Sequence, residues 1–415
     1  MKAALIAVLA SMLVLFALLT GEAMATPPSP AVQSAGQSSS SDQSANATAT
    51  STQSSPSNVN IPVRILSPGD DGSVDQQNSS VAAAGAVNLN ATGQSAAQSQ
   101  GSGGAASQTA GQDNGSGQTA TSTASSTQDQ PANYNIPVRI LSPGNDGSVK
   151  QSNDSTAGSL AVNLNATDQQ VTQDPAGAGA GVQAAGQQAT SGQSATSTAT
   201  STQDHPVNYN IPVRILSPGN GGSVTQSNGS TAVAIGGNAN LTTQDVGQDQ
   251  AVGGMPYLAP AVQAAGQLAK STQCATAGAT STQDDPSNVN VPVRVLSPGD
   301  DGSVKQSNDS AALALAGNLN LTGQTISQDQ AGTGSGPAVQ GAGQEADNQQ
   351  HADGSATSSQ SGATNTNTPV RILSPGGGGS VEQSNSSTAI ALALNANLLC
   401  QQICQRLGIA TPVRI

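Results

Sequence analysis

One phrase governs what this chain can fold into. Asn60-Ile61-Pro62-Val63-Arg64-Ile65-Leu66-Ser67-Pro68-Gly69-Asp70-Asp71-Gly72-Ser73-Val74 recurs, with substitutions, around Arg139, Arg214, Arg294 and Arg371. Successive arginines stand 75, 75, 80 and 77 residues apart, and a shortened copy, Thr411-Pro412-Val413-Arg414-Ile415, follows the fifth. A fixed period of this kind marks an array, in which one unit must be explained and then multiplied.

Each period divides into a block of about 35 residues and a spacer of similar length. The blocks are residues 58–92, 133–167, 208–242, 288–322 and 365–399. Between them lie 93–132, 168–207, 243–287 and 323–364, which are dominated by Ser, Gly, Ala, Gln and Thr; residues 26–57 have the same character. Segments of that composition behave as flexible coils, so disordered linkers are predicted there. The remaining 400–415 form a cysteine-containing tail.

Within a block the pattern is that of strands. Val59, Ile61, Val63 and Ile65 alternate with Asn58, Asn60, Pro62 and Arg64, which places branched apolar residues on one face. Ser67-Pro68-Gly69-Asp70-Asp71-Gly72 is dense in turn formers, and extended character resumes at Ser73, which predicts a hairpin. A second alternating stretch follows, such as Ala86-Val87-Asn88-Leu89-Asn90-Ala91. Such a block is too small to hold a core alone. From Thr26 onward only 60 of 390 residues are Leu, Ile, Val or Phe, and Phe16 is the one phenylalanine. That is too little apolar area for one large core. The predicted fold is therefore a largely disordered repeat protein with short β-strand or hairpin blocks, which gain order by stacking as a solenoid or in an amyloid-like assembly.

The five copies act as an internal substitution series. Pro-Val-Arg, Leu-Ser-Pro-Gly and Gly-Ser-Val hold in all, as does a glutamine at Gln76, Gln151, Gln226, Gln306 and Gln383. The turn acids do not: Asp70-Asp71 becomes Asn145-Asp146, Asn220-Gly221, Asp300-Asp301 and Gly377-Gly378. A calcium site needs several convergent oxygens, so the loop is not a general calcium site. Arg64, Arg139, Arg214, Arg294 and Arg371 have two readings. They are contacts for a carboxylate or phosphate, or structural gatekeepers and partners of a neighbouring acid on a sticky strand. Asn78, Asn153, Asn228, Asn308 and Asn385 open Asn-x-Ser/Thr triplets in phase with the repeat, the acceptor pattern of glycosylation, although simple duplication of an Asn- and Ser-rich unit explains them as well.

Chemistry is hard to place on this chain. His205 and His351 lie 146 residues apart, in or beside spacers, and neither recurs. No phosphate-binding Gly loop leads to a Lys, and no metal-ligand cluster is evident. We therefore expect no enzyme, no cofactor and no bound metal. Cys274, Cys400 and Cys404 are the only cysteines, so disulfides do not define the unit; Cys400 and Cys404 are the candidate local bridge, or link to other chains. A net charge of −13 argues against nucleic acid and anionic membranes as partners. Residues 1–25 read as a secretory signal peptide: Lys2, an apolar run from Leu5 to Leu19, then Ala23-Met24-Ala25 before Thr26. No stable membrane insertion is expected once it is removed.

The signal peptide, the Asn/Gly/Gln-rich blocks and the scarcity of aromatics resemble repetitive secreted surface proteins of actinobacteria, in the style of chaplins and rodlins. Gln76, Asn78, Asn88 and Asn90, which recur in phase, are similar to positions of curli-type amyloid repeats. The phrase around Arg64 and the long spacers depart from both. The resemblance covers the blocks, under half the chain, and implies a coat or matrix role. The expected function is a secreted, non-enzymatic surface protein that pairs with itself through its blocks. The alternatives are a multivalent binding module whose blocks fold on a cell-wall polymer or protein, and a disordered spacer.

Overall fold

The computed structural model describes residues 32–100, 106–175, 181–252, 261–332 and 338–409. The signal-peptide segment 1–25 and the shortened copy 411–415 lie outside the described residues. Extended backbone dominates. The first rung comprises β1 (Val32–Ser54), β2 (Ser57–Asn60), β3 (Val63–Ile65) and β4 (Val74–Gln100). The second repeats it as β5 (Ala106–Asp129), β6 (Ala132–Asn135), β7 (Val138–Ile140) and β8 (Val149–Pro175). The third is β9 (Gly181–Asp204), β10 (Val207–Asn210), β11 (Val213–Ile215) and β12 (Val224–Val252). The fourth is β13 (Ala261–Asp284), β14 (Ser287–Asn290), β15 (Val293–Val295) and β16 (Val304–Gly332). The fifth is β17 (Ala338–Ser361), β18 (Thr364–Asn367), β19 (Val370–Ile372) and β20 (Val381–Ile409).

Every strand pairs only with its own counterparts in adjacent rungs, parallel and in register. The result is four five-stranded sheets, β1-β5-β9-β13-β17, β2-β6-β10-β14-β18, β3-β7-β11-β15-β19 and β4-β8-β12-β16-β20. The sequence period has become the hydrogen-bonding register: Arg64 pairs with Arg139, Arg139 with Arg214 and so on through Arg371. The two long sheets lie face to face, joined at each rung by the two short strands and the Ser-Pro-Gly turn. Length changes never enter a rung. β12 is offset by 75 residues from β8, whereas β13 is offset by 80 from β9, so the added residues fall between β12 and β13.

Two expectations are corrected. The spacers are not disordered: most of 93–132 belongs to β4, β5 and β6, and the other spacers likewise run through long strands. Composition alone suggested coil because Ser, Thr, Gln and Ala bury little apolar area. In parallel register, however, each pairs with the residue at its own repeat position, often a copy of itself as at Gln108 and Gln183 or Thr123 and Thr198, and orders through shared ladders. Nor does the turn close a hairpin. Strands before and after it join different sheets, because the partner offered by the repeat is always the same strand one rung away.

The alternation read from the sequence holds, but its polar face points inward. In the second rung Asn133, Asn135, Pro137 and Arg139 are buried, while Tyr134, Ile136, Val138 and Ile140 stay partly exposed. The same holds along β8, where Asn163 and Asn165 are buried between outward Val162, Leu164 and Ala166. Many inward amides satisfy two demands. Asn163 Nδ2 donates to Asn238 Oδ1 of the next rung at 2.8 Å and to the Ser194 carbonyl of the opposing sheet at 2.6 Å. Gln118 Nε2 does likewise with Gln43 Oε1 and the Leu164 carbonyl, each at 2.9 Å. A buried amide left unpaired costs about 1–3 kcal/mol, so such columns hold the fold only because every rung supplies the next partner. Between the amides the core is mostly alanine, with two stripes of larger residues, Val171, Val246 and Ile326, and Val149, Val224 and Val304. Small inward residues let the two sheets approach closely.

The turn residues that never vary have backbone reasons. Gly69, Gly144, Gly219, Gly299 and Gly376 all adopt φ between +135° and +146°. A Cβ on Gly144 would also strike the Gly69 carbonyl oxygen. Gly147 is similarly confined by the Gly72 carbonyl beneath it. The serine between leucine and proline bridges rungs: Ser67 N donates to Ser142 Oγ at 3.0 Å, and that hydroxyl donates to the Ile140 carbonyl.

Candidate assembly surfaces

The repeated arginines form a column beside the Ser-Pro-Gly turns. Arg139, Arg214 and Arg294 are almost wholly buried, each at 1–2% exposure. Their partners are the turn acids. Asp71 meets Arg64 at 2.7 Å and Arg139 at 2.8 Å. Asp146 meets Arg139 at 3.2 Å and Arg214 at 2.6 Å. Asp301 meets Arg294 at 2.7 Å and Arg371 at 3.2 Å. Each acid serves its own rung and the next, so three carboxylates pair with five arginines. Gly221 and Gly378 therefore stand where an acid is not needed. Burial pulls the Arg294 guanidinium below its usual range, with Arg214 and Arg371 pushing the same way against the Asp301 contact. A cavity of about 310 Å³ beside the column is lined by Asn60, Pro62 and Arg64 with their counterparts. The donors around it are turned to carbonyls and carboxylates: Arg294 Nη1 donates to Gly219 O at 2.7 Å and Nη2 to Asp300 O at 2.8 Å.

Across its middle, the outward face of the β4-β8-β12-β16-β20 sheet is aliphatic. Leu160, Ile235, Leu315 and Leu392 make one row across four rungs. Adjacent rows hold Val87 with Val162, and Leu89 with Leu164. On β20, Ile390, Leu392, Leu394 and Leu398 are each more than half exposed. The opposite outer face is different: β9 turns Thr196, Thr198, Thr200 and Thr202 outward. Tyr134 and Tyr209 also face outward, stacked with ring centres 5.3 Å apart. Along the aliphatic sheet's distal end runs an acidic column, Asp174, Asp249 and Asp329. Burial, then repulsion from those neighbours, holds the Asp249 carboxyl above the usual carboxylate range. Asp245 is raised by burial and by Asp168, and Asp154 chiefly by burial.

The remaining candidates are scattered. His205 hydrogen-bonds Asp204 and lies 3.3 Å from Asp285, and these contacts raise its imidazole pKa, the Asp204 hydrogen bond most. Among the described residues Asp204, His205 and Asp284 are the one group close enough to share an ion, and the group sits at an exposed corner. His351 is exposed on β17 beside Cys274 of β13. Cys400 and Cys404 are free and exposed. Four residues of extended strand hold them roughly 13 Å apart, beyond disulfide reach. Asn153, Asn228 and Asn308, read as glycan acceptors, are buried rungs of an amide column and have no room for a sugar.

Sequence reasoning found the arginines and the inward amides as recurrent positions and gave a neighbouring acid as one reading of the arginines, but not that one acid serves two rungs. The signal for the Arg–Asp column lay in the turn acids, whose variation became intelligible only once each was shared by two rungs. No protein-family model matches the chain, and neither a characterised protein nor a solved structure does.

Proposed function

We propose that this chain is a secreted, non-enzymatic repeat protein of a cell surface or extracellular matrix, and that it associates with copies of itself. The observation that carries this reading is the aliphatic outer face of the second long sheet. A sheet presenting rows of Leu, Ile and Val to solvent is a contact surface more often than a free one. The amide-laddered interior supports the same reading, since parallel in-register columns of Asn and Gln are the pattern of durable cross-β material. The absence of a repeated nucleophile, base or ligand set in the sequence fits a structural role.

Sedimentation velocity across a dilution series tests it. Association should grow with concentration in the wild-type chain. Replacing Val162, Leu164, Ile235 and Leu315 by Ser should leave the β-sheet circular dichroism intact and suppress lateral growth. A wild-type chain that stays monomeric at every concentration would overturn the reading. Export is tested separately: the culture supernatant or surface fraction should contain a chain beginning at Thr26 by mass spectrometry.

A further inference from the structure

The two ends of the stack match each other. Each second-sheet strand lies half a step above its first-sheet partner, so β8 touches both β5 and β9, and β16 touches both β13 and β17. β20 touches β17 and has no first-sheet strand on its other flank among the described residues. The consequence is visible in one position. Ile326 is fully buried against the cluster that includes Ala265 and Ala342, whereas its counterpart Ile403 is 44% exposed. At the other end β1 is covered, among the described residues, on one flank only, by β4.

We propose that copies stack head to tail, the first rung of one chain seating on the fifth rung of another as a continuation of the same register. This rests on the reading of the chain as self-associating, and adds which surfaces meet and in what polarity. The occupant is a second copy because the missing layer is spelled by the first rung. Ala35 is the counterpart of Ala342 and fits over Ile403 as Ala342 packs near Ile326. Backbone donors and acceptors agree as well. Gly299, Asp301 and Val304 donate to the carbonyls of Pro375, Gly377 and Ser380 one rung above. Their counterparts Gly376, Gly378 and Val381 point the same way and are met by Pro68, Asp70 and Ser73 of the next copy. Asn and Gln columns continue across the joint, as Asn365 and Asn58 or Gln344 and Gln37.

The charge pattern also fits. At the third-to-fourth joint two arginines, Arg214 and Arg294, follow one another with Gly221 in place of an acid, and the joint is nonetheless closed by backbone and amide bonds. A fifth-to-first joint would place Arg371, Gly378 and Arg64 in that same sequence. Asp71 then pairs with Arg64 as Asp301 pairs with Arg294. No new arrangement of charge is needed. Such a heterologous contact does not close on itself, so it yields a polar fibre.

Two proline variants test the inference in the full chain. Val381→Pro removes a donor aimed out of the fifth rung. Val63→Pro removes one aimed out of the first, because its counterpart Val138 donates toward the rung below. Neither substitution cuts a bond within the chain. Each variant alone should show wild-type β-sheet signal and thermal melt but form no fibres. Mixed in equal amounts they should form a dimer and nothing larger, since each retains one competent end. A small mole fraction of either should shorten wild-type fibres several-fold. Fibres from Val381→Pro equal to those of wild type, or no dimer in the mixture of two folded variants, would overturn end-to-end stacking while leaving lateral association standing. Loss of the β signal in one variant moves the test to the other, whose capping of wild-type growth decides it. A wild-type chain that never associates would remove both.

Discussion

The two faces of β8 and its counterparts are made of neighbouring residues and obey opposite rules. Inward, Asn163 and Asn165 are buried and bonded on both sides. Outward, Leu160 lies beside Ile235, Val162 beside Val87 and Leu164 beside Leu89, and all three remain partly in water. In an ordinary domain the assignment would be reversed. Here the difference teaches that an in-register stack values self-complementarity over apolarity. An amide can donate to its own copy and accept from the one on the other side, so a column leaves no group stranded until the last rung. A leucine gains only contact from its copy, and gains it on either face.

The comparison can be broken from inside. The largest effect should come from Asp146→Ala, which strips both Arg139 and Arg214 of a carboxylate. Leaving buried charge uncompensated costs about 3–5 kcal/mol, and denaturant unfolding should show a loss of that order. Asn163→Ala should come next. It strands the Asn88 amide below and the Asn238 oxygen above, at a cost of about 2–4 kcal/mol. Its outward neighbour offers the contrast: Leu164→Ser should change stability by less than about 0.5 kcal/mol, while weakening association measurably by sedimentation. Equal losses from Asn163→Ala and Leu164→Ser would erase the distinction between the faces.

The smallest effect is electrostatic and sharpens the outer face. Asp245 and Asp249 titrate above their ordinary range in the folded chain, from burial first and then from Asp168, Asp174 and Asp329. A carboxyl raised in this way favours the fold when protonated. Its contribution is fully present below the unfolded value near 3.8 and is lost as pH rises through the higher folded value. Replacing both by Asn should therefore stabilise the chain modestly at pH 7. The advantage over wild type should shrink as pH falls toward 4. A constant gap between the two melting curves from pH 7 to pH 4 would count against this origin.

Much of the fold was legible in the repeats. The spacing of Arg64, Arg139, Arg214, Arg294 and Arg371 gave the register, and the alternation around Val63 gave extended strands. The invariant Gly69 and Gly72 gave the turn. The spacers were not legible. Thr196-Ser197-Thr198 looks like coil because its order comes from pairing across rungs, Ser197 with Ser122 on one side and Ala277 on the other, which no local pattern records. The inward choice of Asn88 over Leu89 was equally hidden, since alternation defines two faces without saying which is inside. For the candidate surfaces, the arginines stood out by recurrence, but the acids that pair with them, Asp71, Asp146 and Asp301, recur in only three of the five copies, because one acid serves two rungs.

By itself the sequence determined the array, its period and the two faces of each strand, because these follow from the order of residues along a chain with side chains alternating. Only the tertiary structure decided that the polar face lies within, that spacers are strands, and that, among the described residues, the outermost rungs have one neighbour each. Those outcomes depend on contacts between residues far apart in the chain, 31 positions for Asn163 and the Ser194 carbonyl and 75 for Asn163 and Asn238. A column of identical side chains has its meaning only when the copies are stacked.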